Sequence, residues 1–173
     1  LYVQAGVLLA RDMGNDLGRI LFSKARSLRS GTRGPRLYIC GAVLDGVPPI
    51  TTKAVIVRSA EEAQQKVGRL VSLDVDFIAT HSRVTAAALT GAASGAHLAG
   101  KAIWGLVPQG LSLREAAGCG LDGVLGLDGF LDDSLGWVAS AEPDFSGNVQ
   151  AVIDAGIMVM PVVNSVAARV RVP

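Results

Sequence analysis

Short apolar runs, each followed by a helix-forming stretch, recur along this chain, and no other feature restricts its fold as strongly. Val7–Ala10, Leu37–Cys40, Val75–Ile78, Ala102–Leu106, Val124–Leu127 and Ile157–Val163 read as strands. The runs are largely apolar rather than alternating, the pattern of strands covered on both faces by helices in a parallel sheet. Between them, Asp16–Leu28, Ala60 to Ser72, Ala86–Ala99 and Phe145–Ala155 read as helices, with Ala63, Val67 and Leu70 facing inward on the second. Ser59 with Glu62, and Ser112 with Glu115, have the spacing of capping boxes, the latter opening a further short helix. Cys119-Gly120 and Gly156 supply helix stops. Gly41–Pro49, with Asp45-Gly46 and Pro48-Pro49, reads as a loop long enough to overhang a site.

The expected class is α/β, a single domain over residues 1–173. About six βα-type strands are predicted, where a closed barrel of such units needs eight. An unclosed set leaves hydrophobic edges that invite pairing with another chain. Either a partner closes the sheet, as a homo-oligomer or with a different chain, or the strands form an open doubly wound sheet.

At 173 residues and 50% hydrophobic, the chain can bury a sizeable core, which excludes a disordered or charge-dominated protein. Its two cysteines, Cys40 and Cys119, lie in or beside apolar runs and read as reduced, packed thiols. Such thiols make a cytoplasmic location the expectation. Val84–Gly100 carries no formal charge but falls short of the roughly 20 apolar residues a membrane span needs, so it reads as a buried helix and no membrane is expected. Gly91–Gly95 lies inside that helix and reads as close packing on the sheet, not as a phosphate loop. Arg19, Lys24, Arg26, Arg29, Arg33 and Arg36 form a basic early segment, whereas Glu115–Ala168 holds no lysine or arginine and several aspartates. Interleaved aromatics are missing from the basic segment, so it reads as a solvated helix face and no nucleic acid is expected. The asymmetry suits oriented contact between chains.

The order of several short motifs resembles the amidohydrolase superfamily, near its imidazolonepropionase-like and prolidase-like branch. They are Val7-Leu8-Leu9-Ala10-Arg11-Asp12-Met13-Gly14, Gly34-Pro35-Arg36-Leu37-Tyr38, Ser59-Ala60-Glu61-Glu62-Ala63 with Asp76-Phe77-Ile78, Trp104-Gly105-Leu106-Val107-Pro108, Leu111–Ala116 and Gly156–Pro161. The resemblance implies a partial TIM-type (β/α) barrel. It also implies one or two divalent metals at the carboxyl ends of the strands, held by a His-x-His pair, a bridging lysine or glutamate, two further histidines and an aspartate. The bridging position falls on Ala79, and the two later histidine positions on Leu106 and Gly126. The His-x-His strand would precede Leu1 and the aspartate strand would follow Pro173.

A catalytic zinc site uses three protein ligands and an open position for water. The chain has only two histidines, His81 and His97. His97 falls within a predicted helix and reads as a partly buried helix histidine. His81 follows a strand end, where barrel sites are built. With Asp12, Asp128 and Asn164 it forms the candidate strand-end set, and Cys40 is expected near the same face. Asp12, His81 and Asp128 together would supply two carboxylates and an imidazole for zinc or another divalent metal. The alternative is that both aspartates cap turns. Two functional readings follow: a degenerate amidohydrolase-like scaffold or binding subunit without a metal cofactor, and a metal-dependent hydrolase of amide or cyclic-amide bonds whose site is completed by a partner chain or flanking sequence.

Overall fold

The structure, a computed structural model, describes residues 2–127, 130 and 145–161. After a short 3-10 turn at Val3–Ala5, the chain runs β1 (Leu9–Asp12), α1 (Leu17–Ser27), β2 (Arg36–Ile39), β3 (Leu44–Asp45), β4 (Val55–Ile56), α2 (Ala60–Ser72) and β5 (Ile78–Thr80). It continues with α3 (Ala86–Leu98), β6 (Ile103–Gly105), α4 (Leu113–Gly118), β7 (Gly123–Leu125), α5 (Phe145–Ala155) and β8 (Met158–Met160). All strand pairs are parallel: β1 with β2, and a six-stranded sheet in the order β4-β3-β5-β6-β7-β8. From β3 onward the spatial order follows the chain, except that β4 lies outside β3. A doubly wound sheet reverses its strand order at a switch point. The place of β4 outside β3 is one such reversal, while from β3 through β5, β6, β7 and β8 each strand lies beside its predecessor, the progression of a (β/α) barrel segment.

Two strands depart from the sequence reading. Gly41–Pro49 was expected to be loop, yet it contains β3, and β4 was not foreseen. Both are two residues long, too short for a periodic signal. β3 exists because fully buried Leu44 pairs with Val55 on one side and Thr80 on the other. Gly41, at φ 74°, breaks what would otherwise be one path through β2 and β3. A backbone bond from Asp76 N–H to the Ile39 carbonyl (2.8 Å) carries the edge of β2 to the entry of β5. The remaining strand boundaries shift by one to three residues. The end of the predicted strand Ile157–Val163 lies outside the described residues.

Helices form where their caps predict. Ser59 accepts from Glu62 N–H, but the Glu62 carboxylate turns back to Arg58 N–H, so this box is not closed. Ser112 and Glu115 do close theirs. Strand alternation then sorts side chains into two layers. Ile78, Ile103 and Val124 face the helices and join Ala63, Val67, Ala88, Leu89 and Ala92 in the larger core. Gly91 brings α3 against α2: a Cβ there would stand 2.2 Å from the Ala60 carbonyl oxygen. The small residues of α3 therefore serve helix-on-helix contact, where packing on the sheet was expected.

Lys24 corrects the reading of the basic segment as solvated. Its side chain is buried, and its Nζ donates to the Asp74 carbonyl, to the Asp74 carboxylate (3.2 Å) and to Asp76 Oδ1 (3.0 Å). Asp76 Oδ2 in turn accepts from Ile39 N–H at 2.9 Å. This cluster ties α1 and β2 to the entry of β5. No helix among the described residues is long and apolar enough to cross a membrane.

Candidate functional site

The face of the sheet turned away from the helices is packed, with Cys40, Val43, Phe77, Ala79 and Trp104 as its buried centre and Met13, Leu125 and Met160 against them. Gly123 makes room for the Trp104 indole, since a Cβ there would lie 2.3 Å from the ring. Arg11, reaching from β1, stacks on both aromatics, its guanidinium carbon 4.1 Å from the Phe77 ring centre and 3.8 Å from that of Trp104. A partly buried cation over two aromatic rings is held by the ring quadrupoles. Burial lowers the Arg11 pKa from its ordinary value. Burial, with the Asp12 charge adding to it, pushes the Cys40 thiol up to about 12 and keeps it neutral at ordinary pH.

The metal positions implied by the resemblance fall on or beside this face. Ala79 is fully buried in β5 and has no donor atom. Leu106 follows β6, and Gly126 adopts φ 77°, a conformation that disfavours any side chain. Asp12 Oδ1 accepts from Gly14 N–H (3.1 Å) and Oδ2 from the Asn15 side-chain amide (3.2 Å), which supports its reading as a turn residue. Helix α1 is capped by Asp16, whose carboxylate accepts from Arg19 N–H. His81 Nδ1 accepts from Ser82 N–H at 2.8 Å and lies 3.1 Å from the Ser82 hydroxyl. Asp128 and Asn164 lie outside the described residues. His97 is about half exposed and pairs with Asp122 at 3.0 Å, where a partly buried histidine was expected. No three histidine, cysteine, aspartate or glutamate side chains gather in a metal-holding group among the described residues. The described donors thus do not fit a three-ligand catalytic metal site.

A second feature stands at the carboxyl-end rim. Asp45, the last residue of β3, is completely buried. Its Oδ1 accepts from Gly46 N–H (2.9 Å) and Arg83 N–H (3.0 Å), and its Oδ2 from Ile50 N–H (2.8 Å). One carboxylate therefore joins the loop after β3 to the loop after β5. Gly46 permits the approach, since a Cβ there would fall 1.8 Å from the Arg83 carbonyl oxygen. Gln109 N–H donates to the Ser82 carbonyl (2.7 Å) and brings in the loop after β6. Where the three loops meet, Val47, Pro48, Arg83, Val84, Thr85 and Gln109 line an open cleft of about 350 Å³. Sequence reasoning did not single out Asp45 or Arg83. The available signal was the Asp45-Gly46 turn inside a loop already read as overhanging a site.

The arrangement has the amidohydrolase-like fold, and comparison with solved structures agrees. A Xaa-Pro dipeptidase with methionine bound in its active site is similar at TM-score 0.73 and 15% identity, over 92% of this chain and 43% of that one. A bottromycin amidohydrolase gives TM-score 0.68 and 21% identity over 89% of this chain and 33% of its own. The A. niger ochratoxinase gives TM-score 0.64 and 12% identity over 91% and 42%. At these identities the likeness is one of fold, and the chain spans less than half the length of each of these structures. No family model and no curated protein sequence matches the chain.

Proposed function

We propose that this chain is a degenerate amidohydrolase-like scaffold, an assembly or binding subunit without metal chemistry. The observation that carries the reading is the Arg11 guanidinium stacked between Phe77 and Trp104 on the face where metal ligands are expected. A fixed cation there repels a second one, and Ala79 beside it offers no donor atom. A second copy or a different chain is the proposed partner, since the six-stranded sheet presents β4 as an edge among the described residues. Both cysteines are free, which supports a reducing, cytoplasm-like compartment.

The second reading, a hydrolase of amide or cyclic-amide bonds completed by a partner chain or flanking sequence, draws support from the 43% and 33% of the neighbouring structures that this chain spans. The two are separated by elemental mass spectrometry on protein purified without chelator, beside an accurate solution mass. The scaffold reading expects zinc, manganese and iron far below one per chain. Near-stoichiometric metal overturns it and directs attention to His81 with Asp12 or Asp128.

A further inference from the structure

We propose that the cleft at the carboxyl-end rim binds a small organic carboxylate bearing a short apolar group, with Arg83 as the residue that recognises the carboxylate. Among the described residues, Arg83 is the only charged side chain lining the cleft, beside apolar Val47, Pro48 and Val84 and polar Thr85 and Gln109. One cation matched to one anion, next to an apolar wall, suits a monoanionic carboxylate better than a multiply charged phosphate ester. The volume, about 350 Å³, is at the small end of ligand sites.

The guanidinium is held in place. Arg83 Nη1 donates to the Pro48 carbonyl at 2.6 Å. A guanidinium carries five N–H donors in a planar fork, so donors remain to meet a carboxylate. The backbone beneath is fixed from inside the fold, because Asp45 accepts from Arg83 N–H and from both ends of the opposite loop, Gly46 and Ile50. Both Asp45 oxygens are thereby occupied by backbone donors, which leaves Arg83 as the charge presented to the cleft. The cleft also adjoins the start of α3, where Thr85 caps the helix, and the helix dipole adds a weaker preference for negative charge. Binding in a rim whose loops are already joined costs little ordering. The cleft shares no residue with the Arg11 stack, so this inference holds whether or not the scaffold reading does.

The test is an amide-resolved NMR titration of the full chain with isobutyrate, isobutyramide and sodium sulfate. Isobutyrate is expected to saturate with a dissociation constant on the order of 1 mM, judged from its few heavy atoms, and to shift amides at Gly46, Arg83 and Thr85. Isobutyramide and sulfate are expected to bind at least about tenfold more weakly, lacking the charge-assisted hydrogen bond and the apolar contact respectively. Arg83→Gln is expected to weaken isobutyrate by about tenfold or more, and Arg83→Lys to recover part of the loss. Equal binding of the amide, equal binding of sulfate, unchanged affinity in Arg83→Gln, or shifts spread over basic residues away from the rim would each overturn the proposal.

Discussion

Gly91 and Gly68 make a paired test of the packing argument, because the same substitution is expected to act in opposite directions at the two positions. Each is a glycine inside a long helix, and on helix propensity alone each would gain about 1 kcal/mol on replacement by alanine. At Gly68, in α2, a new Cβ meets nothing within 4 Å, so the propensity gain is expected in full. At Gly91, in α3, the new Cβ would stand 2.2 Å from the Ala60 carbonyl oxygen, 2.5 Å from its Cα and 2.6 Å from its carbonyl carbon. Those atoms are backbone at the start of α2 and cannot swing aside. The helices must separate by roughly 1 Å to restore ordinary van der Waals distances, which loosens the buried contacts of Ala88 and Ala92 with α2. Overpacking of this kind costs about 1–3 kcal/mol, and against a backbone wall the upper part of that range applies. Net of propensity, Gly91→Ala is expected to destabilise by about 1–2 kcal/mol while Gly68→Ala stabilises by about 0.5–1 kcal/mol. Urea unfolding followed by circular dichroism measures both, read from the midpoint at constant slope. Equal or greater stability of Gly91→Ala would refute the close approach of α3 to α2.

Asp45→Ala removes the acceptor of three backbone donors, that of buried Gly46 among them, and is expected to cost about 2 kcal/mol in the same assay, with Asp45→Asn retaining part of the stability. Native Cys40 is expected to resist a thiol reagent at pH 8 while the partly exposed Cys119 reacts, and simultaneous modification of both would contradict the packing of the inner face. Because burial raises the folded Cys40 pKa to about 12, the unfolded thiol ionises first, near 8.5. The stability held by the neutral thiol is therefore intact below pH 8.5 and declines above it by up to about 1.4 kcal/mol per pH unit towards 12. Cys40→Ala is expected to flatten that slope in urea titrations between pH 8 and 10, and an unchanged slope would count against the buried, neutral thiol.

What was legible in the sequence was whatever local periodicity and capping chemistry carry. The apolar runs marked six of the strands, and Ser59 and Ser112 cap their helices because a side-chain oxygen needs only the N–H three residues on. The fold family was legible only as a resemblance to the amidohydrolase superfamily carried by collinear short motifs such as Val7–Gly14 and Trp104–Pro108. Two-residue strands such as Leu44–Asp45 and Val55–Ile56 carry no period, and they exist because parallel neighbours across the sheet complete their hydrogen bonds. Lys24 looked like one more solvated cation until the fold set Asp74 and Asp76 against it, about fifty residues away in the chain. Asp45 looked like an ordinary turn aspartate, and only the approach of Arg83 turned it into the joint between two loops. The sequence by itself determined that the expected metal positions Ala79, Leu106 and Gly126 lack donor side chains, since residue identity decides what can ligate. What occupies that face instead, Arg11 between Phe77 and Trp104, was decided by tertiary structure alone, because these side chains meet only when β1 curls across β5 and β6.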